Sequence, residues 1–301
     1  MKILPVTSPK GGEGKSTKAA NLAGFAADAG LKTLLIDGDY SQPTASSYYA
    51  LEYEAPHGLF EVLMQTTDLN KPESIISRTT IPNLDLIISN DPDELLPNAM
   101  LHAPDGRIRL KNILKHPTFQ SYDLVVIDSK GAGGVMAELV VMAATENILG
   151  VVKPILPDVR EFIRGSTRML SRLSAFEVYG LQIPSIKILV NCYESTSLDK
   201  KTLEELREIV SLKAYADSEK VNITMLETVI DQLDVYKYGH AYRQPVHRLE
   251  YKTARVSSAA AVTMHKIACE LFPCWKERFD SVLQNQPKAK SRGKVKGVAN
   301  A

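Results

Sequence analysis

Residues 2–29 read in order as a short apolar run (KILPVT, 2–7), a glycine-rich turn carrying two lysines (SPKGGEGKST, 8–17) and a helix from Ser16 to about Ala29 that Gly30 stops. Few architectures accommodate that order. An apolar run fed straight into a glycine curl is a buried strand ending at the carboxyl edge of a sheet, and the helix after it must return across one sheet face. The pattern repeats: KTLLID (32–37), LDLIIS (84–89), YDLVVID (122–128), NILGVV (147–152) and IKILVN (186–191) are further apolar runs of strand length. Between them RIRLKNILKH (107–116), GVMAELVVMAA (134–144), VREFIRGSTRMLSRL (159–173) and KKTLEELREIVSLKAY (200–215) carry the apolar spacing of surface helices. A further helix is expected from about Thr253 to Leu271. This alternation predicts an α/β fold: a doubly wound, mainly parallel sheet with helices on both faces. Residues 38–58, with Gly38, Pro43, Pro56 and Gly58, read as an excursion at the carboxyl edge, where such sheets bind ligands.

The turn itself is chemically specific. A standard phosphate loop, G-x-x-x-x-G-K-[ST], aligned on Gly14-Lys15-Ser16 would need glycine where this chain has Pro9. Gly11, Gly12 and Gly14 nevertheless allow the backbone to curl so that its N–H groups point inward at phosphate oxygens, and the following helix N-terminus adds positive partial charge. Lys15 is placed to neutralise the β- and γ-phosphates and the Ser16 hydroxyl to ligate Mg2+. Glu13 and Thr17 complete the nucleotide-binding stretch Gly11–Thr17.

What stands in place of the standard loop is K-G-G-x-G-K-[ST]. It resembles the deviant phosphate loop of the ParA/MinD family of P-loop ATPases, the signature-lysine class, and the resemblance spans residues 1 to about 272. It implies ATP and Mg2+ as ligands, weak ATP hydrolysis, and a homodimer that forms around ATP. It also gives Lys10 a role, since in that family the extra lysine crosses the dimer interface to the partner's nucleotide. Lys10 precedes the curl and need not serve its own cradle. By position Asp39, in LLIDGDYSQPT, matches the carboxylate that orients the attacking water and helps hold the metal, although Tyr40-Ser41-Gln42 replaces the family's Pro-Gln. Asp128 ends YDLVVID as a metal-holding carboxylate would, with Lys130 where the family has proline and with Gly131, Gly133 and Gly134 forming a loop able to follow the γ-phosphate. Asn191 ends ILVN where related ATPases read the adenine edge; an asparagine there is also a routine turn former. The stretch from Thr228-Val229-Ile230, read as a strand, to Arg243-Gln244-Pro245-Val246 matches the family's pattern, but Asp231 and Gln232 stand where an arginine often binds DNA.

That leaves DNA contact needing another home. Arg160, Arg164, Arg168 and Arg172 recur every fourth residue, a slanted stripe about 18 Å long opposite Val159, Phe162, Ile163, Met169, Leu170 and Leu173. With Glu161 read as the helix's only acid, the arginines lack i,i+4 partners, and phosphates are their expected contacts. Charge is otherwise balanced, 36 basic against 35 acidic residues, except in the tail 287–301, which holds five cations and no acid and reads as basic and disordered. The chain divides on this reading into a single P-loop ATPase domain (1–272), a C-terminal helical extension (273–286) and that tail.

The leading expectation is a ParA-type ATPase for DNA partitioning. It binds DNA non-specifically as an ATP dimer and is released by a ParB-like partner; it is cytoplasmic, nucleoid-associated and without an N-terminal helix-turn-helix domain. The alternative is a MinD-like membrane-positioning ATPase. FPCWKERFDSVLQNQ offers that reading only a partial apolar face, and no membrane contact is expected. Neither a signal peptide nor a membrane span is expected. Cys192, Cys269 and Cys274 form no CxxC pair, pointing to a reducing compartment, to no structural metal site, and away from a cluster-bridging reductase.

Overall fold

The computed structural model describes residues 1–284 apart from Pro92 and Ala132, so the basic tail lies outside the described residues. Among the described residues nine strands form one sheet: β1 (Lys2–Thr7), β2 (Thr33–Gly38), β3 (Leu51–Tyr53), β4 (Ser77–Thr79), β5 (Leu84–Ile87), β6 (Leu124–Ser129), β7 (Asn147–Val152), β8 (Ser185–Val190) and β9 (Ile223–Met225). Their order is β3-β4-β5-β2-β6-β1-β7-β8-β9. From β5 to β9 every pair is parallel; β3 and β4 add an antiparallel edge. The helices are α1 (Lys15–Asp28), α2 (Leu59–Met64), α3 (Leu96–His102), α4 (Arg109–Ile113), α5 (Pro117–Gln120), α6 (Gly134–Met142), α7 (Leu156–Leu173), α8 (Ser197–Ser211), α9 (Val235–Ala241), α10 (Val246–Leu249), α11 (Ala260–Leu271) and α12 (Lys276–Gln284).

The period-two alternation of the central strands sends side chains to two separate cores. Leu35 and Val126 pack with α1 and α11, whereas Leu34, Ile36, Val125 and Ile127 pack with α2 to α6. Helices α7 and α8 cover the remaining strands through Ile148, Val152, Ile186 and Val190. Helices therefore lie on both faces, as the alternation predicts. α7 comes especially close to β7, because a Cβ on Gly150 would meet the Phe162 ring at 2.4 Å.

Several sequence boundaries move, each for a local reason. The helix expected from Thr253 begins at Ala260, because Glu250 reaches forward. Its Oε2 accepts from Ala260 N at 2.9 Å and its carbonyl from Ala261 N at 3.0 Å, so the helix starts at this carboxylate rather than at the first apolar residue. The 107–116 segment keeps only α4 as helix, since Pro117 opens α5 directly behind it. Thr228-Val229-Ile230 is not a strand; the edge strand is β9, which starts five residues earlier, with only an isolated bridge from Tyr193 to Asp231 beyond it. The 38–58 excursion contains β3, which like β4 and β9 is three residues long and too short to show a period. The C-terminal extension is a short turn (Pro273–Trp275) and α12, whose Phe279 is fully buried against Phe25 of α1 with ring centroids 5.8 Å apart.

The carboxyl end of α1 is tied to α10 by one carboxylate. Asp28 accepts from His247 Nε2 at 2.7 Å and from Arg248 Nε and Nη2 at 2.6 and 2.5 Å. Burial alone would raise its pKa, but the Arg248 and His247 hydrogen bonds outweigh that and hold it at about 2. A depressed folded-state value stabilises the fold above the ordinary carboxylate pKa and is lost as pH falls toward the folded value. Asp28→Asn is therefore expected to cost about 2 kcal/mol at pH 7, with the deficit shrinking between about pH 4 and pH 2. Urea unfolding of both proteins at pH 7 and pH 3 checks this; a deficit unchanged at pH 3 would refute the linkage.

Candidate nucleotide site

The strand order determines what meets at the carboxyl edge. β6 lies between β1 and β2, in a register that pairs Val6 and Asp37 with Asp128. The glycine loop leaving β1, the acidic turn leaving β2 and the acidic end of β6 are thus brought side by side. Their side chains converge on Lys15. Its Nζ donates to Asp128 Oδ1 at 2.8 Å, lies 3.9 Å from Asp39 Oδ2, and is 3.4 Å from Ser16 Oγ. A cavity of about 200 Å³ opens beside them, lined by the loop from Lys10 to Thr17 together with Asp39 and Gly131.

The loop is held by its glycines and by contacts from two other strand ends. Gly12 and Gly14 adopt left-handed φ of 82° and 85°. Gly14 has no room for a side chain either: a Cβ would stand 2.6 Å from Asn191 Nδ2. Asn191, the expected adenine reader, donates to the Glu13 carbonyl at 2.7 Å, bracing the curl from the end of β8. The Glu13 carboxylate accepts from Lys153 N at 2.8 Å, bracing it from β7, and burial raises its pKa despite that hydrogen bond. Thr17 lies in the first turn of α1 and its carbonyl accepts from Asn21 Nδ2.

The carboxylates differ in their partners. Asp39 Oδ1 accepts from Ser41 N, Ser41 Oγ and Gln42 N, a tight turn that leaves Oδ2 toward Lys15. Asp37, behind it, accepts from the Ser46 amide and hydroxyl at 2.7 and 2.8 Å. Burial, and then the neighbouring Asp128 charge, push the Asp37 carboxyl upward; burial also raises Asp128. Asp128 Oδ2 is buried and has no hydrogen-bond partner. An orphaned carboxylate oxygen beside a hydroxyl and a second carboxylate suits a hard divalent cation, so Ser16, Asp39 and Asp128 fit Mg2+.

Lys10 stands outside this cluster. Its Nζ pairs with Asp158 at 2.6 Å, it is half exposed, and its backbone lies 3.7 Å from where a Cβ on Gly131 would stand. The glycine loop after β6 therefore rests against Lys10. Asp158 also corrects the arginine reading, since α7 begins at Leu156 and Glu161 is not its only acid. The stripe is exposed, with Arg160, Arg164 and Arg172 side chains 60%, 63% and 64% accessible, but it is not unpaired. Arg160 pairs with Glu205 of α8 and Arg172 with Glu138 of α6, acids that α7's own sequence cannot reveal, and Arg164 pairs with Glu161 three residues back on α7 itself. Among the described residues only Arg168 of the four has no ion-pair partner.

Two features escaped the sequence reading. Lys18, one turn into α1, is fully buried with its ammonium 3.5 Å from the Tyr236 ring centroid, and burial lowers its pKa to about 7. Lys130 Nζ lies 4.0 Å from the Tyr40 ring centroid, so the two departures from the family's turn sequences meet each other. A lysine inside an apolar helical run was a legible sign of the first; nothing local announces the second.

A family model described as an AAA domain matches residues 1–156. The chain is similar to the cell division protein PomZ of Myxococcus xanthus, 30% identical over 201 residues that make up 66% of this chain and 60% of PomZ. It is also similar to the septum site-determining protein MinD of Thermotoga maritima, 25% identical over 225 residues, 73% of this chain and 76% of that one. Among solved structures, the ATP complex of Cyanothece McdA superposes with a TM-score of 0.67 over 94% of this chain and 95% of McdA, at 19% identity, a likeness of fold.

Proposed function

Because this chain belongs to the ParA/MinD family of ATPases, we propose that it is an Mg2+-dependent ATP hydrolase whose ATP-bound homodimer holds DNA non-specifically and lets go on hydrolysis. The observation that carries the reading is the separation of the two loop lysines. Lys15 is buried among Asp39, Asp128 and Ser16, whereas Lys10 lies outside that cluster on Asp158. One cation serves the cradle; the other is free of it and suited to a second subunit's nucleotide.

The inward N–H groups of Gly11 to Ser16 and the Lys15 ammonium bind the phosphates and fix their orientation. Asp39, held by Ser41 and Gln42, orients the attacking water and accepts its proton at Oδ2. Ser16, Asp39 and Asp128 would hold Mg2+, which when bound neutralises charge on the β- and γ-phosphates. Asn191 fixes the Glu13 carbonyl and so the curl. The loop at Gly131, Gly133 and Gly134, resting on Lys10, couples the γ-phosphate to the dimer lysine. A ParB-like protein that stimulates turnover is the proposed partner.

For the polyanion, DNA is preferred to a membrane. Phe279 and Val282 of α12 are buried, so the partial apolar face is occupied by the fold. Among the described residues no helix is long and apolar enough to cross a membrane. The exposed Arg160, Arg164, Arg168 and Arg172 stripe remains the proposed contact, with Arg168 the residue that gives up no internal ion pair.

The test is a gel shift on non-sequence-specific duplex in ATP, ADP or no nucleotide, beside pelleting on anionic liposomes. A shift in ATP alone is expected. Arg164→Glu with Arg168→Glu should weaken it at least about tenfold and flatten its salt dependence, with ATPase retained. Liposome pelleting in ATP without a DNA shift would overturn the reading in favour of membrane positioning.

A further inference from the structure

At the opposite end of the chain three metal-ligating side chains of different type converge. His265 and Cys269 stand one turn apart on α11, and Asp280 reaches them from α12. His265 Nε2 is 2.7 Å from Asp280 Oδ1 and 3.6 Å from Cys269 Sγ, and the three ligand atoms lie within 4.8 Å of one another. From this geometry we propose that His265, Cys269 and Asp280 form a zinc(II) site that clamps α12 onto α11.

The two separations to the imidazole nitrogen fit with little movement. Tetrahedral zinc with Zn–S of about 2.3 Å and Zn–N and Zn–O of about 2.0 Å sets its ligand atoms about 3.3–3.5 Å apart. The Sγ–Nε2 pair is already at that separation. The Nε2–Oδ1 pair, at 2.7 Å, needs to open by about 0.6 Å, a small side-chain rotation for a helix-borne aspartate. Asp280 is also oriented for monodentate binding. Its Oδ2 takes Lys276 Nζ at 2.7 Å, leaving Oδ1 turned to the imidazole, and a hydrogen-bonded carboxylate is what holds a metal ligand in place.

Composition and charge agree with zinc more than with Mg2+ or Ca2+. One thiolate, one imidazole and one carboxylate form a borderline-soft set, and the thiolate and carboxylate together balance a 2+ ion. Binding releases the Cys269 thiol proton, since only the thiolate ligates. With three protein ligands the fourth position goes to water. The ligand spacing hides this site in the sequence: His265 and Cys269 make no CxxC pattern, and Asp280 joins them only through the turn between helices. Cys274, in that turn, is not one of the converging groups.

The site has a mechanical consequence. α12 carries Phe279, which packs on Phe25 of α1, the helix that begins at the phosphate loop. A metal joining α11 to α12 holds that aromatic contact in place.

The experiment uses the full chain, stripped with chelator and titrated with Zn2+ against a chromophoric competitor, with Co2+ as a spectroscopic substitute. One Zn2+ per chain is expected, together with a thiolate-to-Co2+ charge-transfer band and a Zn2+-dependent rise in the unfolding midpoint. Cys269→Ser and His265→Gln should each weaken Zn2+ binding at least about tenfold and Cys269→Ser should abolish the band, while Cys192→Ser and Cys274→Ser leave both intact. A Co2+ adduct of the unaltered chain without a thiolate band would overturn the proposal even if the variants fold poorly. Zn2+ affinity unchanged by Cys269→Ser would do so as well.

Discussion

Lys15→Ala should leave a folded protein that no longer binds ATP at any concentration near the unaltered chain's dissociation constant. Among the described residues Lys15 is the only cation in ion-pair distance of the site's carboxylates, 2.8 Å from Asp128 and 3.9 Å from Asp39. Without it, Asp39, Asp128 and the buried Asp37 face an incoming triphosphate with no ion-paired side-chain cation beside them. Removing one partner of a buried charge pair costs about 2–5 kcal/mol, so affinity should fall at least about 30-fold and by as much as several thousandfold. Titration with a fluorescent ATP analogue reads the loss. Thermal unfolding read alongside it should show a second effect, because Asp128 is left buried without its cation. Adding Asp128→Asn should restore stability but not binding. If the double variant instead regained binding, Lys15 would be serving only to neutralise Asp128.

Lys10→Ala should separate binding from assembly. The Lys10 side chain is 54% exposed and its pairing with Asp158 is a surface contact, so neither fold nor cradle depends on it. ATP affinity is expected to stay within a few-fold of the unaltered chain, with no ATP-dependent dimer in light scattering across the concentration range that dimerises the parent. ADP should leave both monomeric. An ATP dimer of Lys10→Ala at parental affinity would remove the trans-acting role and with it the reason the loop carries two lysines.

Much of this site was legible because its parts are strand ends. Asp37, Asp128 and Asn191 each close an apolar run, and the sheet must place such residues on one edge whatever its strand order. What is not legible is long-range partnership. Arg160 and Arg172 of α7 look unpaired because their acids, Glu205 and Glu138, arrive from α8 and α6. Asn191 reads as a base contact, and nothing local shows that its amide also braces the Glu13 carbonyl on a loop 178 positions away. Tyr40 and Lys130 each look like a lapse from the pattern of related turns. Together they are one cation–π contact between two loops, and a pairing of that kind has no trace in either segment alone. Fold boundaries failed where elements shrank to three residues, as in β4 and β9, below the length at which periodicity carries information.

The position of β6 between β1 and β2 also governs how this protein must be made. Lys2 pairs with Leu124 and Thr33 with that same Leu124, so the first two strands leave the ribosome with nothing to join them. Until residue 129 has emerged, β1 has no neighbouring strand, β2 has only β5, and the glycine loop has no wall opposite it. Insertion of one central strand then joins β1 to β2 and assembles the acidic end of the site in a single event. The cost is a long stretch of synthesis during which the nascent chain is open to aggregation and is a natural client for chaperones.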